Sequence, residues 1–202
     1  MPADPDAAAD ADADEARVIA AVLADPTCAA ILDRMPSLHL PDWWLTAGAV
    51  FQNIWNALEG RPPGWGIKDY DVFYFDASDL SWHAEDRVIR AAAELFADLG
   101  AVIEIRNQAR VHLWYESRYG AACAPFTSTR DAIDAFASTT CCLGVTRDAP
   151  SGPGLRLHAP YGLADVFAMH LRPHRRLAPR HVYDAKVADY TARWPSVTHD
   201  PW

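Results

Sequence analysis

The sequence predicts an α/β domain, and three observations carry that prediction. Strand-like and helix-like stretches alternate from residue 42 to residue 107. Aromatic and β-branched residues concentrate in the segment from Lys68 to Asp76, which reads as a buried strand. Later, the strand-like segments 139–146 and 155–158 flank Ser151-Gly152-Pro153-Gly154, a hairpin turn. Half of the 202 residues are apolar, enough for one full core, expected over residues 15–202.

The chain opens on an Ala/Asp stretch with no basic residue. Asp4, Asp6, Asp10, Asp12, Asp14 and Glu15 supply most of the net charge of −9, and residues 1–14 are expected to be a disordered acidic tail. Val18, Ile19, Val22 and Leu23 then recur at helical spacing, and the helix ends before Pro26. Thr27 caps a second short helix to Arg34. Residues 42–47 form a short strand that runs into a tight turn at Gly48. Ala49 to Leu58 is a helix with Phe51, Ile54, Trp55 and Leu58 on one face, closed by Gly60. After the 68–76 strand, residues 79–81 cap a long helix from Trp82 to Leu99, ended by Gly100. His83, Glu85 and Asp86 in its first turn suit the helix dipole and are read as surface residues. The next strand is 101–107, and residues 107–115 follow it. Residues 127–129 cap a short helix to Phe136. A helix from Tyr161 to Leu171 stops at Pro173, and a last helix from Pro179 to Trp194 packs back through Val182, Tyr183, Val187 and Tyr190. The eight tryptophans are expected mostly as core anchors.

Composition narrows the function classes. No apolar run approaches the roughly 20 residues of a membrane span, and no basic segment followed by an apolar one marks a secretory signal. Cys28, Cys123, Cys141 and Cys142 have no zinc spacing and are expected as reduced core residues of a cytoplasmic protein. Without its tail the body is close to neutral, so it lacks the broad basic face that long duplex nucleic acid requires. Arg172, Arg175 and Arg176, with His170 and His174 between them, make one basic patch, either a solvated loop or a surface for an anionic substrate.

The chemistry concentrates in Lys68-Asp69-Tyr70-Asp71. Side chains two apart on a strand share a face, so Asp69 and Asp71 lie side by side, continued by Phe73 and Phe75. Half-buried like charges at that spacing need neutralising, and a hard cation such as Mg²⁺ or Mn²⁺ does so while leaving positions for water and phosphate. Glu104 interrupts an Ile-Glu-Ile run. It is either a third carboxylate for the same cation site or an edge-strand residue paired with Arg106. Gly48 opens a helix whose free N–H groups suit an anion. Arg110 and His112, two apart, would point the same way on a continued strand. They are either phosphate contacts or structural, with Arg110 paired to an acid and His112 satisfied in the core.

Ala47-Gly48-Ala49-Val50, the helix after it, Gly60-Arg61-Pro62-Pro63 and Lys68-Asp69-Tyr70-Asp71 resemble the head of the polymerase-beta-type nucleotidyltransferase superfamily, in particular its CCA-adding and poly(A) polymerase branch. The segments Asp69 to Asp76, Asn107-Gln108-Ala109-Arg110, His112, Pro125-Phe126 and Ala159 to Leu163 are similar to a bacterial nucleotidyltransferase-like family, over nearly the whole chain after about residue 27. The resemblance implies a mixed central sheet flanked by helices, with a C-terminal helical and hairpin extension. It implies metal-dependent transfer of a nucleoside monophosphate from an NTP to an acceptor hydroxyl. Asp69, Asp71 and Glu104 would be catalytic residues and metal ligands, and Gly48, Ala49, Arg110 and His112 nucleotide contacts. Ala49, Phe51 and Gln52 depart from the superfamily pattern, in which a second glycine or serine, then an arginine and an acidic or amide residue, occupy this corner. These departures keep a second reading open: a nucleotide-binding or interaction module without turnover. The acceptor is not legible in the sequence.

Overall fold

A computed structural model describes residues 5–147 and 154–202, with side chains from residue 12 onward. Two helices, α1 (Pro5–Ala24) and α2 (Pro26–Arg34), lead into β1 (Trp44–Thr46) and α3 (Gly48–Leu58). Then come β2 (Tyr70–Tyr74), α4 (Trp82–Leu95) and β3 (Ile103–Asn107), and short helices α5 (Tyr115–Tyr119) and α6 (Thr129–Ile133). Strands β4 (Gly144–Arg147) and β5 (Leu155–His158) follow, then α7 (Ala164–Phe167), β6 (His170–Leu171), α8 (Arg180–Arg193) and β7 (Thr198–His199). The five-stranded sheet runs β3-β2-β1-β4-β5. It is mixed: β2 and β3, joined through α4, are parallel, and every other neighbouring pair is antiparallel.

The strand that carries the two aspartates shows why it folds as it does. Tyr70, Val72 and Tyr74 are buried, while Asp71 and Phe73 on the alternate face are half-buried. That period of two puts one face on the core and the other on a cleft. Behind the sheet, α3 is buried along most of its length. Phe51 lies edge-on to Trp55 and Tyr190, with ring centres 4.7 and 5.4 Å apart, and Trp55 meets Trp194 at 5.7 Å. The indole N–H of Trp55 donates to the Val166 carbonyl at 3.0 Å and that of Trp194 to Asn56 at 2.9 Å, so neither buried ring leaves a polar atom unpaired. This cluster binds α8 to α3 and holds α8 over the cleft.

Several elements differ from the sequence expectation, each for a local reason. Helix α1 begins at Pro5, so residues 5–14, expected as disordered tail, continue it. Alanine is the best helix former, and aspartates near an N-terminus suit the dipole. Strand β3 ends at Asn107, so the strand does not continue into the segment that carries Arg110 and His112. The Asn107 side chain accepts from the Ala109 N–H at 3.1 Å and so caps a 3-10 turn over residues 108–113. Of the 161–171 helix only Ala164–Phe167 is helical. Met169 takes a left-handed φ of 50°, and the chain leaves as β6, which pairs in parallel with β7. Only Gly144–Arg147 of the 139–146 strand is extended. The hairpin turn expected at residues 151–154 lies outside the described residues, apart from Gly154. Trp82 is an exception among the tryptophans, 60% exposed. No described helix is long and apolar enough to cross a membrane.

Candidate active site

The parallel pairing of β2 with β3 sets Asp71 directly opposite Glu104, and Phe73 opposite Arg106. Asp69 stands just before β2, exposed, on the same face. Asp71 lies at the centre of a cleft in two lobes. One lobe, about 630 Å³, runs from the Ala47-Gly48 turn past Gln52, Asp69 and Asp71 to Lys186 and Arg193. The other, about 490 Å³, begins at Asp71 and Glu104 and is walled by rings such as Phe73, Trp114 and Phe136. Asp71, Arg118, Tyr119, Val182 and Lys186 border both.

Burial and the neighbouring Asp69 push the Asp71 carboxyl up to about 7, with Glu104 adding to the effect, while Lys186 and Arg106 oppose it. A carboxylate is held in an anionic setting where it binds a proton or a cation readily. Among the described residues, no group of three His, Cys, Asp or Glu is gathered closely enough to hold a metal ion. Glu104 instead lies 3.5 Å from the guanidinium of Arg106. Asp69 and Asp71 still fit Mg²⁺ or Mn²⁺, because they are hard oxygen donors on one face in a site crowded with like charge.

One end of the cleft is built by α3. Its first residue is Gly48, and Ala47 before it offers no side-chain cap, so the helix N-terminus presents N–H groups to the cleft. Ala47 holds φ 55° and ψ −132°, a backbone state suited to glycine. Gly48 packs closely on Gln52: a Cβ there would stand 2.5 Å from Nε2 of Gln52 and displace the end of that side chain.

The model of a family described as nucleotidyltransferase matches residues 33–199. The chain belongs to that nucleotidyltransferase family. It is also similar, at 25% identity and a TM-score of 0.70, to a protein whose NMR structure is described as revealing a CCA-adding enzyme head domain. The match covers 88% of this chain and 91% of the other. Among curated proteins none matches.

Within this family member, the departures from the superfamily pattern have structural roles. Phe51 is fully buried in the aromatic cluster, and Ala49 is fully buried below the turn. Gln52 accepts a hydrogen bond at 3.3 Å from Arg193 of α8. Arg193, ion-paired with Asp189 of the same helix, thus places a guanidinium on that lobe.

Two expected nucleotide contacts stand elsewhere. Arg110 is buried, ion-paired with Glu85, and its Nε donates to the Leu80 carbonyl at 2.9 Å. Glu85, expected at the surface, is 8% exposed and also accepts the Asn107 backbone N–H at 2.9 Å. The 3-10 turn carries Arg110 off the cleft face, and the pair is a structural strut. His112 borders neither lobe of the cleft, and its Nδ1 is buried without a hydrogen-bond partner. The residue that sequence reading passed over is Lys186. It lies on one stripe of α8 with Val182 and Tyr190, and a lysine inside an apolar stripe was the available signal.

Proposed function

We propose that this protein transfers a nucleoside monophosphate from an NTP to an acceptor hydroxyl, releasing pyrophosphate, with Mg²⁺ or Mn²⁺ as cofactor. The observation that carries the reading is Asp71: it sits across the strand pair from Glu104 and beside Asp69, on the floor of a cleft that ends at an uncapped helix N-terminus. Backbone N–H groups at Gly48 and Ala49 orient the triphosphate, and Lys68 and Arg193 on the same lobe offset its charge. Asp69 and Asp71 hold the cation, which when bound neutralises the reacting phosphate and the leaving group. Glu104, on the far lobe, faces the acceptor and accepts the proton of its hydroxyl. The acceptor is a small molecule, an RNA end or a protein side chain.

The second reading is a nucleotide-binding module without turnover. It is favoured by Ala49 and Phe51, which offer no side-chain donor, and by the pairing of Glu104 with Arg106. Pyrophosphate release with each NTP in Mg²⁺ or Mn²⁺ separates the two. Turnover is expected for the wild type, and Asp71→Ala should reduce it by about 1000-fold or more without loss of fold. Equal rates in the two proteins would remove Asp71 from the chemistry. Tight NTP binding with no pyrophosphate from the wild type would favour the module.

A further inference from the structure

The basic patch over residues 170–176 is occupied within the protein. Arg172 is ion-paired with Asp165 at 2.9 Å and with Asp200 at 3.0 Å, and Arg176 is ion-paired with Asp131. Arg175 lies over Trp202, 5.6 Å from its ring centre, and His170 meets Asp200 at 3.2 Å. Nδ1 of His174 lies 3.2 Å from the Phe136 carbonyl oxygen, and its Nε2 lies 3.2 Å from the Tyr161 hydroxyl. The same segment continues into Leu177 and Ala178, which line the ring-walled lobe. The patch beside that lobe is therefore neutralised, whereas a polyanion such as RNA needs several free cations along its path. The net charge of −9 works against a polyanion as well.

The lobe itself offers ring surface and few charges. Phe73, Trp114, Phe126 and Phe136 come from separate stretches of chain onto one hollow of about 490 Å³. Phe73 and Phe136 stand edge-on, with ring centres 5.8 Å apart. Such walls pack best against another flat ring, and a hollow of this size covers most of a small molecule. Glu104 lines it beside Asp71. Arg118 stands exposed where the two lobes meet. Its Nε donates to the Tyr119 hydroxyl at 3.2 Å, and among the described residues no carboxylate pairs with it. That guanidinium is open to an anionic substituent. We propose that the acceptor is a small planar aromatic compound bearing a hydroxyl and an anionic group, and not an RNA end or a protein side chain. The ring lies among the four aromatic side chains, the hydroxyl at Glu104 and the anion at Arg118. The inference rests on the transferase reading for the reaction, but not for the ligand that the lobe binds. In the step itself the acceptor oxygen bonds to the α-phosphorus while the bond from that phosphorus to the bridging oxygen breaks. The bonding pair leaves with pyrophosphate, and the hydroxyl proton passes to Glu104.

The test uses the full chain and matched probes. 6-Hydroxy-2-naphthoate has the ring, the hydroxyl and the anion; 2-naphthol lacks the anion; trans-4-hydroxycyclohexanecarboxylate lacks the aromatic ring. Ligand-observed NMR titration without nucleotide should give a Kd of about 0.3 mM or tighter for the first, and binding about fivefold weaker for each of the others. Arg118→Ala should weaken 6-hydroxy-2-naphthoate about fivefold and leave 2-naphthol unchanged. Trp114→Ala should weaken 6-hydroxy-2-naphthoate about fivefold. Should Trp114→Ala not fold, the order of the probes on the wild type and the Arg118→Ala result still decide. With each NTP and Mg²⁺, 6-hydroxy-2-naphthoate should speed pyrophosphate release about tenfold or more, and mass spectrometry should find the nucleoside monophosphate on its hydroxyl. A short RNA with a free 3′ hydroxyl and a tyrosine-containing peptide should do neither. Failure of 6-hydroxy-2-naphthoate to bind, equal binding of the probes, or pyrophosphate release that it does not change would each overturn the proposal. Binding with the expected Arg118 dependence, but no pyrophosphate under any condition, would retire the transferase reading and leave the ligand class of the lobe standing. Pyrophosphate release driven by the RNA or the peptide would do the reverse.

Discussion

Two acidic side chains that stand against β3, Glu85 of α4 and Asp71 of β2, meet opposite surroundings. At its C-terminal end Glu85 is buried against Arg110 and the Asn107 N–H, with its charge offset. Three residues earlier, Asp71 faces Glu104 across the strand pair, with Asp69 adjacent, and its carboxyl is pushed up to about 7. A buried charge whose partners are complete is part of the fold. A carboxylate surrounded by others of its own sign weakens the fold and persists where a ligand will complete it. The comparison separates the two expected nucleotide-binding side chains of the 107–115 segment from the carboxylates that define the cleft.

The comparison can be broken at either end. Arg110→Met leaves Glu85 buried without its cation and should cost about 3–5 kcal/mol, read as a lower urea midpoint. Pyrophosphate release per folded molecule should hold at wild-type levels. A cost near zero would show that the Arg110–Glu85 pair is not structural.

At the other end, Asp71→Asn removes the crowded charge. Between the ordinary carboxyl value of 3.8 and about 7, the folded metal-free protein holds a proton on Asp71 that the unfolded chain has lost. Stability from this group therefore falls as pH rises through that window. Asp71→Asn should be more stable than the wild type at pH 8 by about 4 kcal/mol, with the gap closing toward pH 4. Mg²⁺ should raise the melting temperature of the wild type and leave that of the variant unchanged. A variant less stable than the wild type at pH 8 would mean that Asp71 is already neutralised within the protein.

The smallest effect sharpens the Gly48 end of the cleft. Ala47→Gly relieves a φ of 55° at the entry to α3 and should stabilise by about 1 kcal/mol or less, after the added entropy of the unfolded chain is set against it. Ala47→Val should destabilise by more than that gain. Thermal melts of the three proteins check the order.

Much of the site's local geometry was legible before any tertiary structure. The alternation in β2 assigns Asp71 and Phe73 to one face and Tyr70, Val72 and Tyr74 to the other, because a strand's period depends only on its own backbone. The turn at Gly48 and the helix after it were legible for the same reason. Which of its two readings Arg110 would follow was not legible, because it depends on the strand stopping at Asn107. The Asn107 side chain also bridges to Asp76, donating to its carbonyl at 2.8 Å, a contact thirty-one residues away in sequence. The burial of Glu85 was hidden for the same reason, since its partner is the arginine that this turn redirects.

By itself the sequence determined the periods, caps and turns, and with them the face on which each acidic side chain of the cleft would stand. Those features rest on interactions within a few residues of chain. Only the tertiary structure decided which charges would meet. The parallel register pairs Asp71 with Glu104, the aromatic packing of α8 on α3 brings Lys186 and Arg193 over the cleft, and the turn after β3 turns Arg110 inward to Glu85. Electrostatic neighbours are fixed by distance in space, and that distance is set by the packing of elements far apart in the chain.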